Sequence, residues 1–175
     1  MQVTQDLLKT LFTYNAETGE FTYKKRTSSE GRGASETQRW NSRYSEKIAG
    51  FLFETGYYGV SIYGKQRLLH RMAFLYCHGY LPEVVDHKDQ DITNNKISNL
   101  RPATKSQNGM NSKIISTNSS GYKGVGFHKQ TGKWRGRVKL NKKEYHLGLF
   151  KTIEEAAEAV NAKRAELHGE FASHK

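Results

Sequence analysis

The chain has 175 residues, of which 35% are apolar and 26% charged, a low apolar share that argues for small modules joined by polar segments rather than one large core. Lys and Arg number 28 against 17 Asp and Glu, a formal net charge of +11, and a surface of that sign attracts polyanions by steering and counterion release. No stretch approaches the roughly 18 apolar residues that span a bilayer, and no basic amphipathic helix suits an anionic membrane surface, so a membrane partner is not expected.

The N-terminus (Met1 to Asp6) lacks the basic-then-apolar order of a secretory leader. Thr4 is a helix cap for residues 4–13, where Leu7, Leu8, Leu11 and Phe12 recur at helical spacing. Residues 14–23 form a hairpin turning at Glu17-Thr18-Gly19 between aromatics. Residues 24–47, rich in Ser, Gly, Arg, Thr and Glu, predict a loop or a partly disordered insertion. From Gly56 to Leu69 a second hairpin turns at Tyr63-Gly64-Lys65, and a helix over His70–His78 stops at Gly79. Cys77, the single cysteine, sits in that helix as a core residue. One cysteine excludes an intramolecular disulfide and a Cys-rich zinc site and fits a reducing, cytoplasmic location. His70 reads as a packing or capping residue, and His78, His168 and His174 read as surface histidines.

A short strand over Val84-Val85-Asp86-His87, a polar loop and a second strand at Asn99-Leu100-Arg101 come next, and Thr104 then caps a helix through about Asn111. Beyond a polar linker come strands over Gly124–His128, Lys133–Leu140 and Glu144–Phe150, then a helix over Ile153–Leu167 capped by Thr152. Alternation along the middle strand puts Trp134, Gly136, Val138 and Leu140 on one face and Arg135, Arg137 and Lys139 on the other.

Asp86, His87, Asn99 and Asn108 carry the chemistry. Phosphodiester hydrolysis needs an activated water, neutralised phosphoryl oxygens and a stabilised leaving oxygen. A carboxylate at Asp86 and an amide oxygen at Asn108 suit a hard divalent cation. His87, with a pKa near neutrality, suits a general base, its other nitrogen held by an oxygen of Asn99 or a backbone carbonyl.

With Asn99 twelve and Asn108 twenty-one positions after His87, and with Leu69-His70-Arg71-Met72-Ala73, Asn94-Asn95 and Gln107 around them, this stretch resembles the phage-type HNH homing endonucleases. The resemblance implies a ββα-metal fold in which Asp86 and Asn108 hold one divalent ion, His87 activates water and Asn99 orients His87. With Asn at the last position it implies Mg²⁺, or Mn²⁺, rather than Zn²⁺. Gly121-Tyr122-Lys123-Gly124-Val125, Gly132-Lys133-Trp134, Leu147-Gly148-Leu149-Phe150, Glu154-Glu155-Ala156-Ala157 and His168-Gly169-Glu170-Phe171-Ala172 resemble an AP2 DNA-binding domain. That resemblance implies a three-stranded antiparallel sheet, backed by a helix, that enters the major groove.

The expectation is therefore an α+β protein of two modules. An HNH nuclease domain occupies 1–112, a linker 113–120 and an AP2-like domain 121–175. It acts as a monomer that nicks double-stranded DNA in the cytoplasm, the bacterial host's if phage-encoded. Arg135, Arg137, Lys139, Lys123, His128, His146 and Arg71 are the expected DNA contacts. A DNA-binding regulator on an inactive nuclease fold, and an RNA-binding or RNA-cleaving protein, are the alternatives.

Overall fold

The computed structural model describes residues 2–27 and 33–173. Part of the 24–47 segment and His174 lie outside that range. The chain divides into two units, Met1–Pro102 and Ala103–Lys175. Both combine helices with small sheets, as the α+β expectation requires. Among the described residues no helix is long and apolar enough to cross a membrane.

In the first unit, Thr4 closes α1 (Gln5–Leu11) by accepting the Leu7 N–H, the side-chain cap that relieves an orphan helix donor. The helix ends two residues short of the expected Thr13. Phe12 is extended and opens β1 (Phe12–Tyr14), which pairs with β2 (Phe21–Tyr23). The loop between them is set by Asn15, whose Oδ1 accepts the N–H groups of Glu17 and Thr18.

The expectation of a loop over 24–47 is corrected for its described part, which contains α2 (Ala34–Tyr44). Its composition is too polar to reveal an apolar stripe. The helix is held by aromatic contacts instead: Trp40 meets Tyr23 edge-on at 5.5 Å, and the Arg26 guanidinium lies 3.6 Å from the Trp40 ring centre.

Two short strands not expected from the sequence, β3 (Ile48–Ala49) and β4 (Phe51–Leu52), come next. β3 completes an antiparallel β1–β2–β3 sheet, and β4 pairs with β5 (Tyr58–Ile62), which pairs with β6 (Lys65–Leu68). The β5–β6 turn holds Tyr63 and Gly64 at φ of 47° and 76°, the left-handed pair that a two-residue hairpin requires. α3 (Leu69–His78) then runs through the core formed by Leu8, Phe12, Phe21, Val60, Met72 and Phe74. Gly79, at φ 77°, ends it. Cys77 is exposed, not a core residue. β7 (Val84–His87) and β8 (Leu100–Ala103) form a two-stranded sheet. Asn99, expected to open the second strand, instead closes a single 3₁₀ turn before it.

The second unit opens with α4 (Lys105–Met110), started by a reciprocal capping box between Thr104 and Gln107. The boundary between the two units thus lies ahead of α4. Physically, the carbonyl of Met110 at the end of α4 accepts from Lys123 and from Arg164, which ties α4 to the rest of the second unit. β9 (Val125–His128), β10 (Lys133–Leu140) and β11 (Lys143–Phe150) form an antiparallel sheet with β10 in the centre. α5 (Ile153–His168), capped by Thr152 and Glu155, covers one face. Ala156, Ala157 and Val160 of α5 pack with Val125 and Val138, the close approach that small residues allow. Gly124 lies so near β10 at φ +86° that a Cβ would stand 2.5 Å from the Arg137 carbonyl oxygen. The alternation expected along β10 is present. Gly136 and Val138 are buried while Arg137 and Lys139 are exposed. A register shift between Gly136 and Arg137 brings Arg137 opposite His146.

Candidate active site and nucleic-acid interface

Successive side chains of a strand point to opposite faces, and β7 has both faces covered, so Asp86 and His87 are buried at 4% and 5% exposure. They turn to different partners. The Asp86 carboxylate accepts from Arg101 of β8 at 2.8 Å, both side chains shielded from solvent. His87 Nε2 lies 3.3 Å from Asn95 Oδ1. A carboxamide oxygen only accepts, so Nε2 carries the ring proton and the neutral ring has its lone pair on Nδ1. The His87 ring stands 4.9 Å from the His70 ring, at 61° to it.

Asn99, expected to orient His87, engages its side chain elsewhere. Its amide nitrogen donates to the Asp89 carboxylate and to the Asn94 carbonyl, and its oxygen accepts the Asp89 N–H. It thereby shapes the loop from Asp89 to Asn95. In that loop Asp91 N–H and the Asn94 amide also donate to Asp89. Burial alone would raise the Asp89 pKa, but these hydrogen bonds outweigh it and hold the carboxyl below its usual range. The residue that meets His87 Nε2 is Asn95. In the sequence Asn94 and Asn95 are two adjacent loop asparagines, and only the folded loop distinguishes the buried one.

Burial lowers the His87 pKa. The Asn95 hydrogen bond and the carboxylates of Asp89, Asp86 and Asp91 oppose that shift without cancelling it. His70 is driven further, to about 3, first by burial and then by the neighbouring His87 and Arg71. The unfolded chain takes up a proton at such a residue near pH 6.5. The folded chain does so only near 3. Its contribution to stability is therefore whole above about pH 6.5 and is lost as pH falls toward 3, by on the order of 1 kcal/mol per pH unit. Urea midpoints measured from pH 7 to pH 4 are expected to fall more steeply for wild type than for His70→Phe; parallel slopes would assign the acid sensitivity elsewhere. His87, whose pKa is depressed too, supplies the residual slope.

Asn108 is an exposed residue of α4, its main-chain N–H bonded to the Thr104 carbonyl. The second unit also holds a cleft of about 530 Å³ whose lining includes Lys123, Arg137, Lys139, Lys142, Arg164 and His168, with Glu144 the acid among them. Lys123 does not point outward. Its ammonium donates to the carbonyls of Met110 and Ser112, and burial, then the Arg164 charge, lowers its pKa to about 8. His168, read as a surface residue, bonds the Lys139 carbonyl through Nε2. Arg137 pairs with Glu144 at 3.3 Å on the exposed face, and Glu144 also lies 3.4 Å from His146. His128 Nδ1 meets the Thr131 hydroxyl at 2.9 Å. Arg135 is half-buried and Lys139 exposed. In the first unit, Arg71 donates to the main-chain carbonyls of Pro82 and Glu83 rather than to a carboxylate.

The buried pair Asp86 and His87 also lies in the stretch that comparison with known proteins singles out. A family model described as HNH endonuclease matches residues 67–110, the stretch holding Asp86, His87, Asn99 and Asn108. Protein 3.8 of Escherichia phage T7 is 32% identical over 105 residues, covering 59% of this chain and 86% of that protein. A protein of Acanthamoeba polyphaga mimivirus named as an HNH endonuclease is 34% identical over 130 residues, covering 73% of this chain and 66% of that one. No solved structure matches. The chain belongs to the HNH endonuclease family.

Proposed function

We propose that the protein is a divalent-metal-dependent DNA endonuclease that cuts one strand per active site while its second unit grips the duplex. The observation that carries this reading is His87: buried, uncharged at neutral pH, with its proton fixed on Nε2 by Asn95. A general base needs its lone pair on a defined nitrogen, and the contact with Asn95 supplies that definition.

Asp86 and Asn108 are the proposed oxygen ligands, both within the matched family stretch. Among the described residues no group of three or more His, Cys, Asp or Glu is arranged to hold a metal ion. The proposed donors are one carboxylate and one amide oxygen, with water and substrate phosphate to complete the set. That set fits Mg²⁺ or Mn²⁺, which are commonly held by few protein oxygens. When bound, such an ion neutralises charge on the phosphoryl and leaving oxygens. His87 Nδ1 takes a proton from the attacking water. Arg101 holds the Asp86 carboxylate in place, and Asn99 shapes the loop that supports His87.

For the partner, the support is the net charge of +11, the cationic cleft and the outward Arg135, Arg137 and Lys139 of β10. We assign these to phosphate and base contacts by an AP2-like sheet, with His128 and His146 at its edges. Lys123 and Arg71 act indirectly, by fixing the chain around them. Arg137→Ala is expected to weaken binding to a DNA duplex by about 1–3 kcal/mol in an anisotropy titration; an unchanged affinity would remove it from the interface.

The test of function is incubation with supercoiled plasmid and Mg²⁺, with EDTA controls and a matched labelled RNA. Conversion to open circle that EDTA blocks supports the reading. Faster cutting of RNA redirects the substrate, and tight DNA binding without cutting makes the protein a DNA-binding regulator.

A further inference from the structure

We infer that the N-terminal hairpin β1–β2 is a positioning device for His87 that acts through Asn95. The inference rests on His87 being the base of the proposed reaction. The hairpin lies outside the matched family stretch, which begins at residue 67.

Asn95 is a loop residue, and a loop asparagine has several rotamers and little to hold its peptide in place. Here the peptide is held on two sides. The Tyr14 hydroxyl, at the end of β1, donates to the Asn95 carbonyl at 2.8 Å across a sequence separation of 81. Gly19, in the hairpin loop at φ +79°, lies directly against the next peptide. A Cβ there would stand 2.6 Å from both the Asn95 carbonyl carbon and the Lys96 nitrogen. Any other residue at 19 displaces that peptide or the hairpin.

Both parts of the hairpin are themselves anchored. Tyr14 packs its ring against Phe21 at 4.8 Å and Tyr76 at 5.6 Å. The Gly19 N–H donates to the Asn15 carbonyl at 2.8 Å. Asn95 is thereby 5% exposed and fixed in its main chain, and its side-chain oxygen meets His87 Nε2. A hydroxyl aimed at one loop carbonyl, and a glycine where only hydrogen fits beside the same residue, specify the place of Asn95. Covering the apolar core, which Phe12 and Phe21 already do, requires neither.

The test reads the His87 tautomer directly and the activity separately. Ring ¹⁵N shifts of His87 in the full chain are expected to report the Nε2–H form in wild type. Asn95→Leu, which keeps the shape without the acceptor, should give a mixture of tautomers, and Asn95→Asp, which keeps an acceptor oxygen, should retain Nε2–H. Tyr14→Phe retains the ring packing and should shift part of the population. In the plasmid assay Asn95→Leu should lower kcat by about 10- to 100-fold and Tyr14→Phe by less, with KM for plasmid and the melting temperature little changed. A wild-type tautomer in both Asn95→Leu and Tyr14→Phe would overturn the inference. So would rate losses that follow only KM or melting temperature. If wild type does not nick, the functional reading fails, and the ring shifts still decide whether the hairpin positions His87.

Discussion

Replacement of His87 by alanine is expected to slow metal-dependent nicking by about 10²- to 10⁴-fold, the usual contribution of a positioned general base. The magnitude follows from the environment of the ring. Burial keeps it uncharged at neutral pH, so the base is in its active form, and the Asn95 contact fixes which nitrogen is basic. The depressed pKa also sets the pH dependence. A base that resists protonation stays active below its ordinary pKa, so the acid limb of the rate profile should lie below about pH 6.5. DNA affinity, measured by anisotropy, should change little, because the cations assigned to DNA lie on β10. Nicking by His87→Ala at a tenth or more of the wild-type rate would remove His87 as the base. The alanine leaves a cavity in a buried site, so His87→Gln should accompany it, with melting curves showing that both variants are folded at the assay temperature.

Local chemistry made much of this fold legible in the sequence. Thr4, Thr104 and Thr152 are caps in the structure because a hydroxyl before a helical run has one obvious use. Tyr63-Gly64 makes a turn because the chain needs two left-handed residues there. The alternation along β10 survives because one face must meet α5. What sequence could not supply was direction and tertiary company. α2 carries too polar a composition to betray itself, and its helix depends on Trp40, Tyr23 and Arg26 meeting across the fold. Lys123 advertises a charge but not that its ammonium turns inward onto the Met110 and Ser112 carbonyls. Asn95 was hidden by its neighbour Asn94, since equal propensities for a loop do not say which amide reaches the imidazole. His87 and Asp86 were legible as chemistry. That an arginine fifteen residues later would share the carboxylate of Asp86 was not.

That arginine governs the second large effect. Asp86→Ala is expected to abolish cutting, and also to destabilise the first unit by about 3–5 kcal/mol, because removing one member of a buried ion pair leaves the other charge desolvated and unpaired. The sequence alone suggests a substitution that silences cutting and leaves binding largely intact. The pair between Asp86 and Arg101, at 2.8 Å with side chains 5% and 8% exposed, makes alanine a stability variant as well. The two effects separate in a pair of further variants. Asp86→Asn keeps the shape and an acceptor oxygen for Arg101 while removing the anionic oxygen proposed for the metal, so it should lose cutting at a smaller cost in urea midpoint. Asp86→Ala combined with Arg101→Leu removes both charges and should recover part of the lost stability without any recovery of activity, since replacing a whole buried pair by apolar groups is often near neutral. If the double variant is no more stable than Asp86→Ala, the unpaired arginine is not the source of the loss; if Asp86→Asn cuts plasmid at the wild-type rate, the carboxylate serves the fold through Arg101 and not the reaction.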